Sequence, residues 1–200
     1  PYFALSTPPS GSFVDVSVDR TFACAIRADQ SVHCWGADPF GFAPLQDDYF
    51  VSIAVGEGSV CGVTIVGEVK CRSNEGYTHV DAPAGFFTPT IRGSGVVFCG
   101  LRVDGSISCW GPLALTPPEG FFVDVVAGTT SLCGLRVDGE IRCVSLDPSP
   151  ILLDPLADVD EVSAGLFDHT CVRRADGEVE CWGNNFYVHA LSPGVPFISV

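Results

Sequence analysis

The residues of this chain best equipped for chemistry are its ten cysteines, which form five pairs of identical spacing. They are Cys24 and Cys34, Cys61 and Cys71, Cys99 and Cys109, Cys133 and Cys143, and Cys171 and Cys181, with none left over. Thiols so arranged can oxidise to disulfides or bind zinc as thiolates. Zinc is disfavoured because the sequence has no Cys-x2-Cys, and each pair spans one tight hairpin with no second pair beside it. The spacing therefore predicts five local disulfides. These in turn imply an oxidising setting: outside the cell, on its surface or in the secretory lumen.

No other constellation points to catalysis. There is no Gly-x-Ser-x-Gly, no His-Glu-x-x-His and no phosphate-binding loop. Ser94, between Gly93 and Gly95, has no acid–base partner in pattern. Of the four histidines, His33 and His169 sit close to cysteines at repeat positions, which suits packing; His79 and His189 carry no motif. Carboxylate pairs such as Asp47-Asp48 and Asp160-Glu161 read as solvated charge, and the spaced ligands of a calcium loop are absent. No catalytic residue, metal ligand or cofactor is predicted.

The elements that must position the cysteines follow from a repeat. First cysteines of successive pairs lie 37, 38, 34 and 38 residues apart, a period that belongs to repeat architectures. Within a pair the text is a hairpin: Cys99-Gly-Leu-Arg-Val-Asp-Gly-Ser-Ile-Ser-Cys109 places Asp-Gly between two alternating apolar runs. If Val103, Asp104 and Gly105 form the loop, Arg102 faces Ser106 and Cys99 arrives opposite Cys109, close enough to bridge. The same count holds for loops ending at Gly67, Gly139 and Gly177. In the first unit Gln30 takes the glycine's place, which predicts a strained turn or one of another type. A further apolar run precedes each first cysteine, as in Phe13–Val18, Phe50–Val55, Phe122–Val126 and Val159–Ser163, with a looser Thr90–Gly93 in the third unit. A weak fourth strand is conceivable at Phe186–Ala190. No window of helical periodicity occurs. The fold predicted is all-β: a β-propeller of five repeats of 34–38 residues, each a short antiparallel sheet with one cross-strand disulfide. The units are approximately 13–49, 50–86, 87–121, 122–157 and 158–196, with 1–12 and 197–200 as partial units of a single domain spanning 1–200.

Composition narrows the partners. There are 24 acidic residues against 10 basic ones, a surface that repels phosphate backbones and anionic leaflets, so neither nucleic acid nor a membrane surface is expected. No apolar run approaches the roughly 20 residues of a membrane span. Trp35, Trp110 and Trp182 follow the second cysteine of their pairs and face away from it, which suits filling between blades. The variable inter-unit loops are the best binding candidates. Phe40, Phe42, Phe86, Phe87 and Leu152 would form an interaction patch if exposed together, against the alternative that they pack under their own loops. Thr7, Thr116 and Ser149 precede prolines and could carry O-linked sugar. A start at Pro1, without methionine, suits a mature or trimmed fragment.

The units resemble the repeats of the regulator of chromosome condensation family. The likeness rests on the strand–glycine lead-in, Asp168-His-Thr170, the Arg-x-Asp-Gly hairpin and the following Trp-Gly, and it is best over Gly165–Asn184. The cysteine-paired form, Cys-Gly-Leu and then Cys-Trp-Gly, is more similar to the extracellular repeats of crinkly-type plant receptor kinases and to secreted bacterial proteins of the superfamily. What the resemblance implies is a propeller, typically of seven blades. The family's nucleotide-exchange activity belongs to a reducing nuclear setting that five bridges do not fit. Units two and four depart from the pattern, with Arg72 and Val144 in the tryptophan position. Pro1–Val16 aligns loosely with Phe186–Val200, so this is a piece of a longer protein, a five-blade ring with spare ends, or a chain whose ends complete a neighbour's blade. The function expected is a non-enzymatic extracellular module binding a protein or glycan. Its alternative is a structural subunit of an extracellular filament, appendage or wall, assembled from copies of itself or with other units.

Overall fold

A computed structural model describes residues 8–36, 48–73, 80–146, 156–165 and 169–183. Every regular element in them is a strand, and each unit contributes three. The first unit holds β1 (Phe13–Val18), β2 (Phe22–Arg27) and β3 (Val32–Gly36). The second holds β4 (Phe50–Gly56), β5 (Ser59–Thr64) and β6 (Val69–Ser73). The third holds β7 (Phe87–Ser94), β8 (Val97–Arg102) and β9 (Ile107–Trp110). The fourth holds β10 (Asp124–Ala127), β11 (Ser131–Leu135) and β12 (Ile141–Ser145), and the fifth β13 (Val159–Ala164), β14 (His169–Arg174) and β15 (Val179–Gly183). Each triplet is its own antiparallel sheet in chain order. The fourth strand considered at Phe186–Ala190 lies outside the described residues.

The hairpin arithmetic holds in all five sheets. Cys24 opposes Cys34, Cys61 opposes Cys71, Cys99 opposes Cys109, Cys133 opposes Cys143 and Cys171 opposes Cys181. All five pairs are bridged and no cysteine is free. Each loop closes the same way: in the third unit the Arg102 amide donates to Ser106 and the Gly105 amide donates back to Arg102. The glycine sits in the left-handed region, at φ 81° for Gly105, as a three-residue loop with a bulge requires. The first unit builds the same turn with Gln30 at φ 69°, whose amide donates to the Arg27 carbonyl at 2.8 Å. A side chain there costs about 1–2 kcal/mol relative to glycine. Set against glycine's greater freedom when unfolded, Gln30→Gly should stabilise the chain by about 0.5–1 kcal/mol, readable as a raised denaturant midpoint.

Sheets stack in chain order. The first strands of successive units lie side by side, β1 with β4, β4 with β7, β7 with β10 and β10 with β13, so they form one edge of the stack and the third strands the other. Four apolar clusters fill the joints between units, and each includes the first cysteine of one unit with first-strand aliphatics of the next. The first cysteine of one unit packs on the first-strand aliphatics of the next: Cys24 on Ile53 and Val55, Cys61 on Ile91, Cys99 on Val125 and Ala127, Cys133 on Val162. In the first four units the bridge therefore faces forward along the chain. The tryptophan faces backward: Trp110 of the third unit lies in the second unit's cluster and donates its Nε1–H to Cys61 Sγ at 3.4 Å. Trp182 packs against the fourth unit's cluster, and Trp35 against Phe13.

The edge formed by the first strands needs its backbone groups satisfied. Between the first two units side chains do this: Asp15 accepts from the Ile53 amide and Ser17 from the Val55 amide, both at 2.9 Å. At the start of the stack, Val16 and Val18 on β1 are 59% and 66% exposed. Their counterparts Ile53 and Val55 are buried under the first unit.

Candidate binding face

One side of the disc is made by the hairpin tips and by the segments that lead into each first strand. The two are bonded together. The tip of one unit accepts from the next unit's lead-in: Gln30 from the Phe50 amide, Gly67 from Phe87, Gly105 from Phe122 and Gly139 from Val159. The lead-in carbonyl in turn accepts from its own hairpin, Tyr49 from the Ile65 amide and Phe86 from the Val103 amide. The repeated arginine clamps the same junction. Arg27, Arg102 and Arg174 donate to the lead-in carbonyls of Ser10, Ala84 and Ala157, while Arg27 and Arg102 lie over the Phe13 and Phe87 rings. Arg136 faces Asp138 and Glu140. The arginine of the Arg-x-Asp-Gly motif is thus spent inside the structure.

Lead-ins carry aromatic doublets, Tyr49-Phe50, Phe86-Phe87 and Phe121-Phe122, with one ring out and one in. The inner rings fill a space kept open by the glycine after each first cysteine. A Cβ at Gly62 would come within 2.5 Å of Phe50, at Gly100 within 3.1 Å of Phe87, and at Gly134 within 2.5 Å of Phe122. Where the unit lacks a buried lead-in phenylalanine the glycine is absent too, as Ala25 and Val172 show.

Phe86 and Phe87, which would have joined an interaction patch if exposed together, are separated by this geometry. Phe86 is 56% exposed, but Phe87 is 3% exposed and packs edge-on to Trp110. Phe87 is therefore a core residue, because successive residues of an extended chain point to opposite faces. Phe40, Phe42 and Leu152 lie outside the described residues. Residues passed over in the sequence complete the patch: Tyr49, Ile65, Val66, Val103 and Phe121 are all exposed. They adjoin one another. Gly67 lies against Phe86 and Gly105 against Phe121, where an added Cβ would meet those rings at 3.6 Å and 3.4 Å. The result is an apolar arc across units two to four. The recurring aromatic doublet was the signal available in the sequence.

Aspartates punctuate the arc at the tips. Asp29, Asp104, Asp138 and Asp176 each accept, through Oδ1, from the amide two residues on. Hydrogen bonds from the Ser31 and Ser106 hydroxyls and amides hold Asp29 and Asp104 below the usual carboxylate range. A lowered folded-state pKa stabilises above the unfolded value and the effect fades as pH falls through the lowered one. These turns should therefore loosen only once the pH is taken below the usual carboxylate range, seen as faster amide exchange at Ser31 and Ser106 than acid conditions alone produce. Asp19 has the opposite sign: burial raises its pKa, so its protonation relieves a cost.

The described residues hold no cluster suited to a metal ion. No three His, Cys, Asp or Glu side chains gather there, and Ser94 is buried without a hydrogen-bond partner for its hydroxyl. His169 lies against Gly165 at the start of β14. No helix long and apolar enough to cross a membrane occurs among these residues.

Residues 159–187 match the family model for the regulator of chromosome condensation (RCC1) repeat. No curated protein matches the chain by sequence. The fold is similar to the ectodomain of the Physcomitrella patens receptor kinase CR4, with a TM-score of 0.76 and 22% identity over 95% of this chain and 59% of that one. It is also similar to the crinkly ectodomain of the Arabidopsis thaliana receptor kinase ACR4, with a TM-score of 0.71 and 21% identity over 95% of this chain and 69% of that one. Prp20p from Saccharomyces cerevisiae, described with its binding to Gsp1p and histones, is similar at a TM-score of 0.63 and 15% identity over 82% of this chain and 56% of that one. The chain thus spans 59% of the CR4 ectodomain's length. With five three-stranded sheets, five bridges within units and one matching repeat at residues 159–187, the chain has the β-propeller fold of these proteins and resembles the cysteine-paired form of RCC1-like repeats.

Proposed function

We propose that the chain is a non-enzymatic propeller module that works outside the cell and binds a protein partner through the hairpin face. The apolar arc of Tyr49, Ile65, Val66, Phe86, Val103 and Phe121 carries this proposal. Contiguous exposed aromatic and aliphatic surface on a soluble domain marks interaction sites, and aromatic side chains dominate protein–protein contacts. The bridges support the extracellular setting, and two of the structures similar in fold are receptor ectodomains. The test is surface protection: amide exchange and hydroxyl-radical footprinting of the chain on cells or secreted material from its source. Protection confined to the lead-ins and hairpin tips supports the face; protection elsewhere moves the site.

Assembly with other units is a second reading, favoured by one observation. Val16 and Val18 are exposed where the equivalent residues of later units are covered. Under that reading the chain forms concentration-dependent oligomers that Val16→Glu abolishes. A monomer at all concentrations in sedimentation would remove it.

A further inference from the structure

We infer that the partner of the hairpin face is an extended protein segment in which apolar side chains alternate with lysine or arginine. The inference rests on the binding face proposed above and adds the partner's chemistry. Two features of the face carry it. The first is the apolar arc, with Phe86 at 56% and Phe121 at 72% exposed. The second is the sign and placement of the charge around it. Tip aspartates Asp104 and Asp138 are exposed beside Val103 and Val137, which are themselves exposed. Glu68 follows Gly67 and Glu119 precedes the Phe121 lead-in, and both are exposed.

The repeated arginines offset only part of this rim: Arg136 faces the tip Asp138 and Glu140, whereas Arg102 is engaged by Ala84 and Ser108 and Arg174 by Ala157 and Glu180, which leaves Glu68, Asp104 and Glu119 as the exposed acidic groups bordering the arc. Asp104 is held in its ionised form by Ser106. Over the whole chain the net charge is −14. A partner must therefore cover hydrocarbon without bringing carboxylates near carboxylates. Like-charge juxtaposition across an interface costs several kcal/mol, whereas opposite charge at the rim speeds encounter and fixes partner choice. An acidic or neutral apolar segment could satisfy the arc; only a cationic one satisfies the arc and the rim together. The same acidic rim disfavours an anionic lipid surface as the occupant.

The experiment is a selection of random displayed peptides on the full-length chain, with the selected pool sequenced against the unselected library. Selection is repeated on two variants. Phe86→Ser/Phe121→Ser removes the exposed rings from positions that carry no core packing. Asp104→Asn/Asp138→Asn removes charge while the amide oxygen can still accept the turn's hydrogen bond. Unchanged thermal unfolding certifies both as folded. The expected result is a pool enriched in lysine and arginine as well as aromatic and aliphatic residues. Capture should fall about tenfold on the phenylalanine variant, as loss of interface anchors does. On the asparagine variant capture should become less dependent on salt, and the enrichment in lysine and arginine should shrink. A pool enriched in apolar residues but neutral or acidic, still lost on the phenylalanine variant, overturns the charge inference and leaves the face standing. A pool captured equally by the phenylalanine variant, or no enrichment at all, overturns the face as well.

Discussion

Replacing Trp110 with alanine will lower stability by about 3–5 kcal/mol, the cost of deleting a large buried aromatic side chain. The ring packs on two aromatic rings of its own unit while bonding to the bridge of the unit before it. Its indole is buried, stacks on Phe98 with ring centroids 6.2 Å apart, meets Phe87 edge-on at 5.7 Å, and donates to Cys61 Sγ across the joint. Alanine forfeits the transfer of the ring and leaves a cavity against a rigid disulfide that cannot collapse to fill it. In a stack whose units touch mainly their neighbours, the loss is felt first at the joint it spans. Equilibrium denaturation should show the lowered midpoint, and amide exchange should accelerate in β5, β6 and β7 before β13–β15. Trp182→Ala, at a half-buried ring, should cost less. Equal costs at the two sites would contradict the account of Trp110 as a clasp between units.

Removing the second unit's bridge as Cys61→Ala/Cys71→Ala will cost about 2.5–3 kcal/mol in the loop-entropy model, since the bridge closes a separation of 10 residues. Replacing both cysteines avoids a reactive thiol. The site adds a packing loss, because Cys61 is fully buried and lies against Trp110 and the third unit's Ile91. The same double substitution at Cys171 and Cys181 removes a loop of equal length, but the first cysteine there is only half-buried. The difference in melting temperature between the two variants thus isolates the packing part. A larger loss at the fifth unit would show that the bridges stabilise otherwise than by loop closure and cover.

Much of this was legible from the cysteines. Their separation, with the Asp-Gly between them, fixes the register, the turn and the bridge at once, and Gln30 shows the turn imposed even where its residue is unsuited. The candidate face was far less legible, for a reason that lies in the first strands. Four of the five carry a register irregularity near their start, between Phe13 and Asp15, Phe50 and Ser52, Phe87 and Ile91, and Val159 and Glu161. A bulge reverses which side of the sheet later residues face, so strict alternation counted along the strand fails there. Ile65 and Val103 were hidden differently, as residues of a loop whose aspartate and glycine drew the eye to turn geometry.

The lead-in hydrogen bonds run unbroken from unit to unit, through Phe50, Phe87, Phe122 and Val159. A surface tied in this way is held in one shape by its own backbone bonds, so the proposed partner would meet a preformed platform. Ordering of loops is among the larger entropic costs of association, and here little ordering is left to do on this side. The partner, if it is an extended segment, must then bear most of that loss. Rigid-body docking onto such a platform is quick to form, so differences in affinity among partners will be written mainly in how long they stay.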